Sequence, residues 1–186
     1  MKKFFVFAAV AMMSALPVHA AKLAGVELDK TAQVGDQALV LNGAGIRSKF
    51  IFDIYVIGLY LPAAQSDASA ILSAPPTNRV HMHIVYDKVE KAQFEESFQE
   101  GLEDNLSDDE LAALSDKIAS FTSLFGDVVE NDIVQFDFNA QSGTDVIVNG
   151  ETIGSIPGAD FNAALLSIWI GDEPLTRKLK GQLLGN

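Results

Sequence analysis

The sequence predicts an α+β fold in a single domain: an antiparallel sheet with helices packed on one side. Three observations carry this expectation. Strand patterns come in two blocks, before and after a pair of amphipathic helical patterns, and two further helical patterns close the chain. Strands follow one another through hairpin signals rather than through regular β–α–β alternation, the arrangement of an antiparallel sheet. Composition shifts little after residue 21 in a chain of 186 residues, with no linker and no internal repeat, which suits one domain.

The first twenty residues stand apart. Lys2 and Lys3 form a basic start, Phe4 to Leu16 is a largely apolar run, and "PVHA" puts Val18 and Ala20 where a signal peptidase accepts small residues. This is the pattern of a secretory signal cleaved between Ala20 and Ala21. The run is short of the ~20 residues that span a bilayer, so no stable membrane anchor is expected after cleavage. The expected location is periplasmic or secreted. Losing Lys2 and Lys3 takes the formal charge from −12 to −14. Such an acidic chain repels phosphates, which argues against nucleic acid as a partner.

Taken in order, "LAGVEL" and "ALVLNG" read as short strands around a Gly35-Asp36 turn. Lys49 to Leu61 reads as one long strand, apolar on both faces and therefore covered on both. "SDASAILSAPP" reads as a capped short helix that stops before Pro75-Pro76. "RVHMHIVY" is another strand. Phe94, Phe98 and Leu102, spaced by four, mark the first amphipathic helix within 89–106. Ser107 with Glu110 forms a capping box that opens the second, striped by Leu111, Leu114, Ile118, Phe121 and Phe125. "DIVQFDFNA" alternates as a half-buried strand. "QSG" turns into "TDVIVNG", and Asn149-Gly150 suits a type I′ hairpin into "ETIGSIPG". Residues 159–170 and 174–184 read as the last two helices.

Few motifs carry chemistry. There is no cysteine, which excludes disulfides and thiolate sites. His81 and His83 share a strand face, a spacing that can chelate a metal, but no third ligand stands at a recognisable spacing and no metal or other cofactor is expected. "GAG" at 43–45 lacks the third glycine and the following helix of a dinucleotide fingerprint. "EDNLSDDE" lacks the central glycine of a calcium loop.

Arg47 is the residue that asks for a partner. Its planar fork of donors suits a carboxylate or an enolate-like oxygen. Counted by twos along one strand, it shares a face with Asp53 and Tyr55, provided no bulge intervenes. Either Arg47 and Tyr55 grip the acid group of a ligand in an apolar cleft, or Arg47 pairs with Asp53 and both are structural. These residues by themselves favour the ion pair.

"GAGIR" followed by "KFIFDIYVIGLYL" resembles the signature of the chalcone isomerase family, in which a Gly-rich turn and an arginine precede such a strand. A helical segment similar to "YDKVEKAQFEESFQEGL", a late hairpin and "ALLSIWIG" follow in the family's order. Within the family the chain looks most like the secreted bacterial group. The resemblance implies an open-faced β-sandwich, a large antiparallel sheet covered by a layer of helices with a cleft between. It implies that the family's arginine falls on Arg47, its threonine on Tyr55, its tyrosine on Phe94, its asparagine on Gly101 and its late hydroxyl on Ile168. Four of these five polar positions are changed.

A cleft lined by Phe94, Gly101, Ile168 and Trp169 and keeping one cation suits an amphiphile with one acid head, as in the family's fatty-acid-binding relatives. The expectation is a monomeric, non-catalytic binding protein for a fatty acid or similar apolar carboxylate, with Arg47 and Tyr55 as the ligand-binding pair. An isomerase (an intramolecular lyase) acting on an enone or phenolic substrate is the first alternative. A ligand-free interaction protein is the second.

Overall fold

The computed structural model describes residues 21–186; the signal segment expected at 1–20 lies outside the described residues. The chain runs β1 (Ala21–Leu23), β2 (Val26–Leu28), β3 (Thr31–Val34), β4 (Gln37–Lys49), β5 (Phe52–Leu61), α1 (Ala68–Ser73), β6 (Asn78–Ile84) and β7 (Lys88–Val89). It continues with α2 (Lys91–Glu103), α3 (Asp108–Ser123), β8 (Val128–Val129), β9 (Ile133–Asn139), β10 (Gly143–Val148), β11 (Glu151–Ile156), α4 (Ala159–Ile170) and α5 (Arg177–Leu183). Seven strands form one sheet in the order β11-β10-β9-β6-β5-β4-β3. Every neighbouring pair is antiparallel.

The main core lies between one face of this sheet and the helices. Alternation along β6 puts Val80, Met82 and Ile84 into it, and β9 adds Val134 and Phe136 opposite them. α2 contributes Phe94, Phe98 and Leu102; α3 contributes Leu114, Ile118 and Phe121. α4 is apolar all round, and a helix of that kind is buried: every residue from Ala164 to Ile170 is buried. Two polar bonds tie α4 to the sheet. Asn78 Nδ2 donates to Asn162 Oδ1 at 2.8 Å, and Asn162 Nδ2 donates to Thr144 Oγ1 at 3.4 Å. The capping box expected at Ser107 and Glu110 forms. No helix among the described residues is long and apolar enough to cross a membrane.

Four local readings change. "LAGVEL" is a hairpin, because Ala24 and Gly25 both take positive φ (45° and 84°) and reverse the chain. The stretch around Lys49 is not one strand: Phe50 and Ile51 form a hairpin tip between β4 and β5. The glycines of "GAG" lie inside β4 rather than in a turn. They stay bare because α5 rests on them: a Cβ on Gly43 would sit 2.1 Å from the Gln182 carbonyl oxygen, and one on Gly45 would sit 2.5 Å from Leu179 Cδ1. The last helix begins at Arg177, where the Thr176 hydroxyl caps it, and not at Pro174.

Candidate ligand site

The hairpin of β4 and β5 sets the site. Arg47 and Tyr55 are direct cross-strand partners. They share a face because they face each other across the ladder, not because they lie on one strand. The register then slips between Arg47 and Ser48, so that Ser48 pairs with Asp53 and Ile54 is skipped. This bulge turns Asp53 to the other face from Arg47. Asp53 accepts a hydrogen bond from the Ser48 hydroxyl at 2.6 Å. The expected alternative of an Arg47–Asp53 ion pair therefore does not form.

Arg47 is half-buried. Its Nη1 donates to the Ser48 carbonyl at 2.5 Å, and no carboxylate among the described residues lies within ion-pair distance of it. Tyr55 is buried beside it. The Tyr55 hydroxyl accepts from Trp169 Nε1 at 3.0 Å, and its own proton has no protein acceptor among the described residues. Burial pushes the phenol up to about 12, against the opposing pull of the Trp169 hydrogen bond and the Arg47 charge. Tyr55 therefore stays a neutral donor throughout the physiological range.

These groups open onto one cavity of about 390 Å³ between the sheet and α2 and α4, at the small end of the ~300–1,000 Å³ of ligand sites. Arg47, Tyr55, Phe94, Ile168 and Trp169 all line it. Gly101, expected there too, does not. It faces α4, and its missing side chain lets the two helices close: a Cβ would sit 2.8 Å from Ile168 Cγ2.

Sequence reasoning missed part of the wall. Met82 and Ile84 of β6 form its floor, and Phe98 adds an aromatic edge whose ring centroid is 6.0 Å from that of Trp169. Their strand and helix periodicity placed them in a core without saying that the core is hollow there. Lys49, Phe50 and Phe52 frame the mouth, a role hidden until the hairpin is known. Among the described residues no Asp, Glu or His lines the cavity.

The two histidines lie elsewhere. His81 faces the opposite side of the sheet, with Gln135 Nε2 3.1 Å from its Nδ1. Burial and the Arg79 charge lower it to about 4, so it is neutral. Among the described residues no group of three or more His, Cys, Asp or Glu side chains is arranged to hold a metal.

An antiparallel sheet and a helical layer of the α+β class enclose an apolar cavity, with Arg47 at its wall and no carboxylate partner for it among the described residues. The chain belongs to the chalcone isomerase-like family, whose model matches residues 20–185. It is 24% identical to Fatty-acid-binding protein 1 of Arabidopsis thaliana over 83% of its own length and 66% of that protein, so it spans just under two thirds of that relative. The crystal structure of an Arabidopsis thaliana fatty-acid-binding protein superposes on it with a TM-score of 0.68 at 20% identity. That match covers 89% of this chain and 96% of the other. The likeness establishes the fold: an α+β open-faced sandwich.

Proposed function

We propose that this protein binds a fatty acid or similar apolar carboxylate without chemical conversion, in the periplasm or outside the cell after cleavage at Ala20. The observation that carries the reading is Arg47: a half-buried guanidinium with no carboxylate partner among the described residues, at the wall of an apolar cavity. A ligand carboxylate would take the Arg47 fork and the Tyr55 hydroxyl proton, and its chain would lie along Met82, Ile84 and Phe98. The fatty-acid-binding relative supports the choice of ligand.

The isomerase alternative rests on the same two donors, which could also hold an enolate oxygen. Against it, no carboxylate or imidazole among the described residues lines the wall for general acid–base work. The open volume speaks against a ligand-free interaction protein.

Trp169 is the sole tryptophan and lines the cavity, so its fluorescence reports occupancy. Titration with long-chain fatty acids should give saturable binding. Arg47→Ala should weaken it by roughly ten- to a hundredfold, the worth of one charge-assisted hydrogen bond of about 1.5–3 kcal/mol. Unchanged affinity in that variant, or conversion of a chalcone that vanishes in it, would overturn the reading. N-terminal sequencing of the exported protein should begin at Ala21.

A further inference from the structure

The tip between β4 and β5 consists of Phe50 and Ile51, flanked by the paired Lys49 and Phe52. Phe50 is 92% exposed, Ile51 88% and Phe52 50%. Phe50 also sits at φ 58°, in the left-handed region where a tight hairpin ordinarily takes glycine or asparagine and where a bulky side chain is rare. The chain thus holds an aromatic side chain at a position that both backbone and water disfavour. Such a device is the kind expected at a functional contact.

The geometry points to this hairpin tip as a membrane-docking loop that inserts Phe50 and Ile51 into the interfacial layer of a phospholipid bilayer and sets the cavity mouth against the lipid. Apolar side chains raised on a convex tip suit the boundary between headgroups and acyl chains. Lys49 stands beside them at headgroup level, a local cation on a chain whose formal charge is −12. The one acid of the tip region, Asp53, is held by the Ser48 hydroxyl. Phe50, Phe52 and Lys49 also line the cavity, so the inserted surface is continuous with the ligand's path. A second protein chain fits the tip less well. Its large side chains offer at most ~150–250 Å² each, against the ~1,200–2,000 Å² of a stable interface.

Docking stands on the tip alone; the movement of an apolar carboxylate between bilayer and cavity rests on the proposed function. The two are tested apart. Ile51 does not line the cavity, so Ile51→Ser serves as the probe. Wild-type protein should co-float with phosphatidylcholine vesicles, and Ile51→Ser should partition about tenfold less, as expected for withdrawing one apolar side chain. Fatty-acid affinity measured without vesicles should be equal in both. The rate of fatty-acid transfer from vesicles should rise with vesicle concentration for the wild type and lose that dependence in Ile51→Ser. Absence of co-flotation, equal flotation of the two proteins, or a wild-type dimer that Ile51→Ser dissociates would overturn docking. Normal flotation with no fatty-acid binding would instead overturn the ligand reading and leave docking in place.

Discussion

Each face of the sheet carries an arginine directly across a ladder from a tyrosine, and the two pairs end differently. On the face away from the helices, Arg79 pairs with Tyr60. Its Nε and Nη2 each reach an oxygen of Asp137 at 2.5 Å, and the Tyr60 hydroxyl donates to the Asp29 carbonyl at 2.8 Å. On the helix face, Arg47 pairs with Tyr55. There the guanidinium holds one backbone carbonyl, and the phenol accepts a hydrogen bond while its proton has no acceptor among the described residues. The first pair is closed and belongs to the architecture. The second leaves a cation and a donor with capacity to spare beside an apolar cavity. An arginine's environment, not its presence on a strand, separates structure from function.

Removing the acid from the closed pair should have the largest effect. Asp137→Ala would leave Arg79 partly buried with its charge uncompensated, and should lower unfolding free energy by about 3 kcal/mol in urea titration. Arg47→Ala should change stability by no more than about 0.5 kcal/mol. Equal losses in the two variants would erase the distinction. The affinity loss of Arg47→Ala is next in size. Arg47→Lys sharpens it: keeping the charge but not the fork should recover only part of the binding, as read by Trp169 fluorescence.

Tyr55→Phe comes third. It removes the acceptor of Trp169 Nε1, and an orphaned buried donor costs about 1–3 kcal/mol. Tyr60→Phe should cost less, about 0.5–1 kcal/mol, because the freed carbonyl belongs to exposed Asp29 and water can reach it. Thermal melts of the two variants give the comparison. The reverse order would mean that the helix-face pair is the structural one.

Much of this was legible in the sequence, and the failures are specific. Alternation in "DIVQFDFNA" and the stripe through Phe94 and Phe98 placed strands and helices because burial imposes those periods. The Asn149-Gly150 turn was legible because both residues adopt positive φ, at 52° and 84°. Phe50-Ile51 was not, since neither residue advertises a turn; the long strand that replaced it joined Arg47 to Asp53. The bulge that separates them depends on pairing, which one strand's sequence does not encode. Arg47, Tyr55, Phe94, Ile168 and Trp169 came together at one cavity. Gly101 failed because an absent side chain reads alike as open space and as close packing.

A pH titration shows whether the two tyrosines differ. Burial pushes both up to about 12, with the Asp29 charge adding to the rise at Tyr60. In the unfolded chain each returns to about 10. The unfolded state therefore releases these protons first as pH rises. Their contribution to stability is fully present below about pH 10 and is lost as pH climbs from there toward 12. Tyr55→Phe and Tyr60→Phe should each flatten part of that fall, seen as a smaller drop in melting temperature over the window. Fatty acid should then separate them. A carboxylate accepting the Tyr55 proton favours the neutral phenol and repels the phenolate, so saturating ligand should move the tyrosinate absorbance of one residue to higher pH. That ligand-dependent shift should disappear in Tyr55→Phe and persist in Tyr60→Phe. A shift that survives loss of Tyr55 would place the acid group of the ligand away from the Arg47–Tyr55 pair.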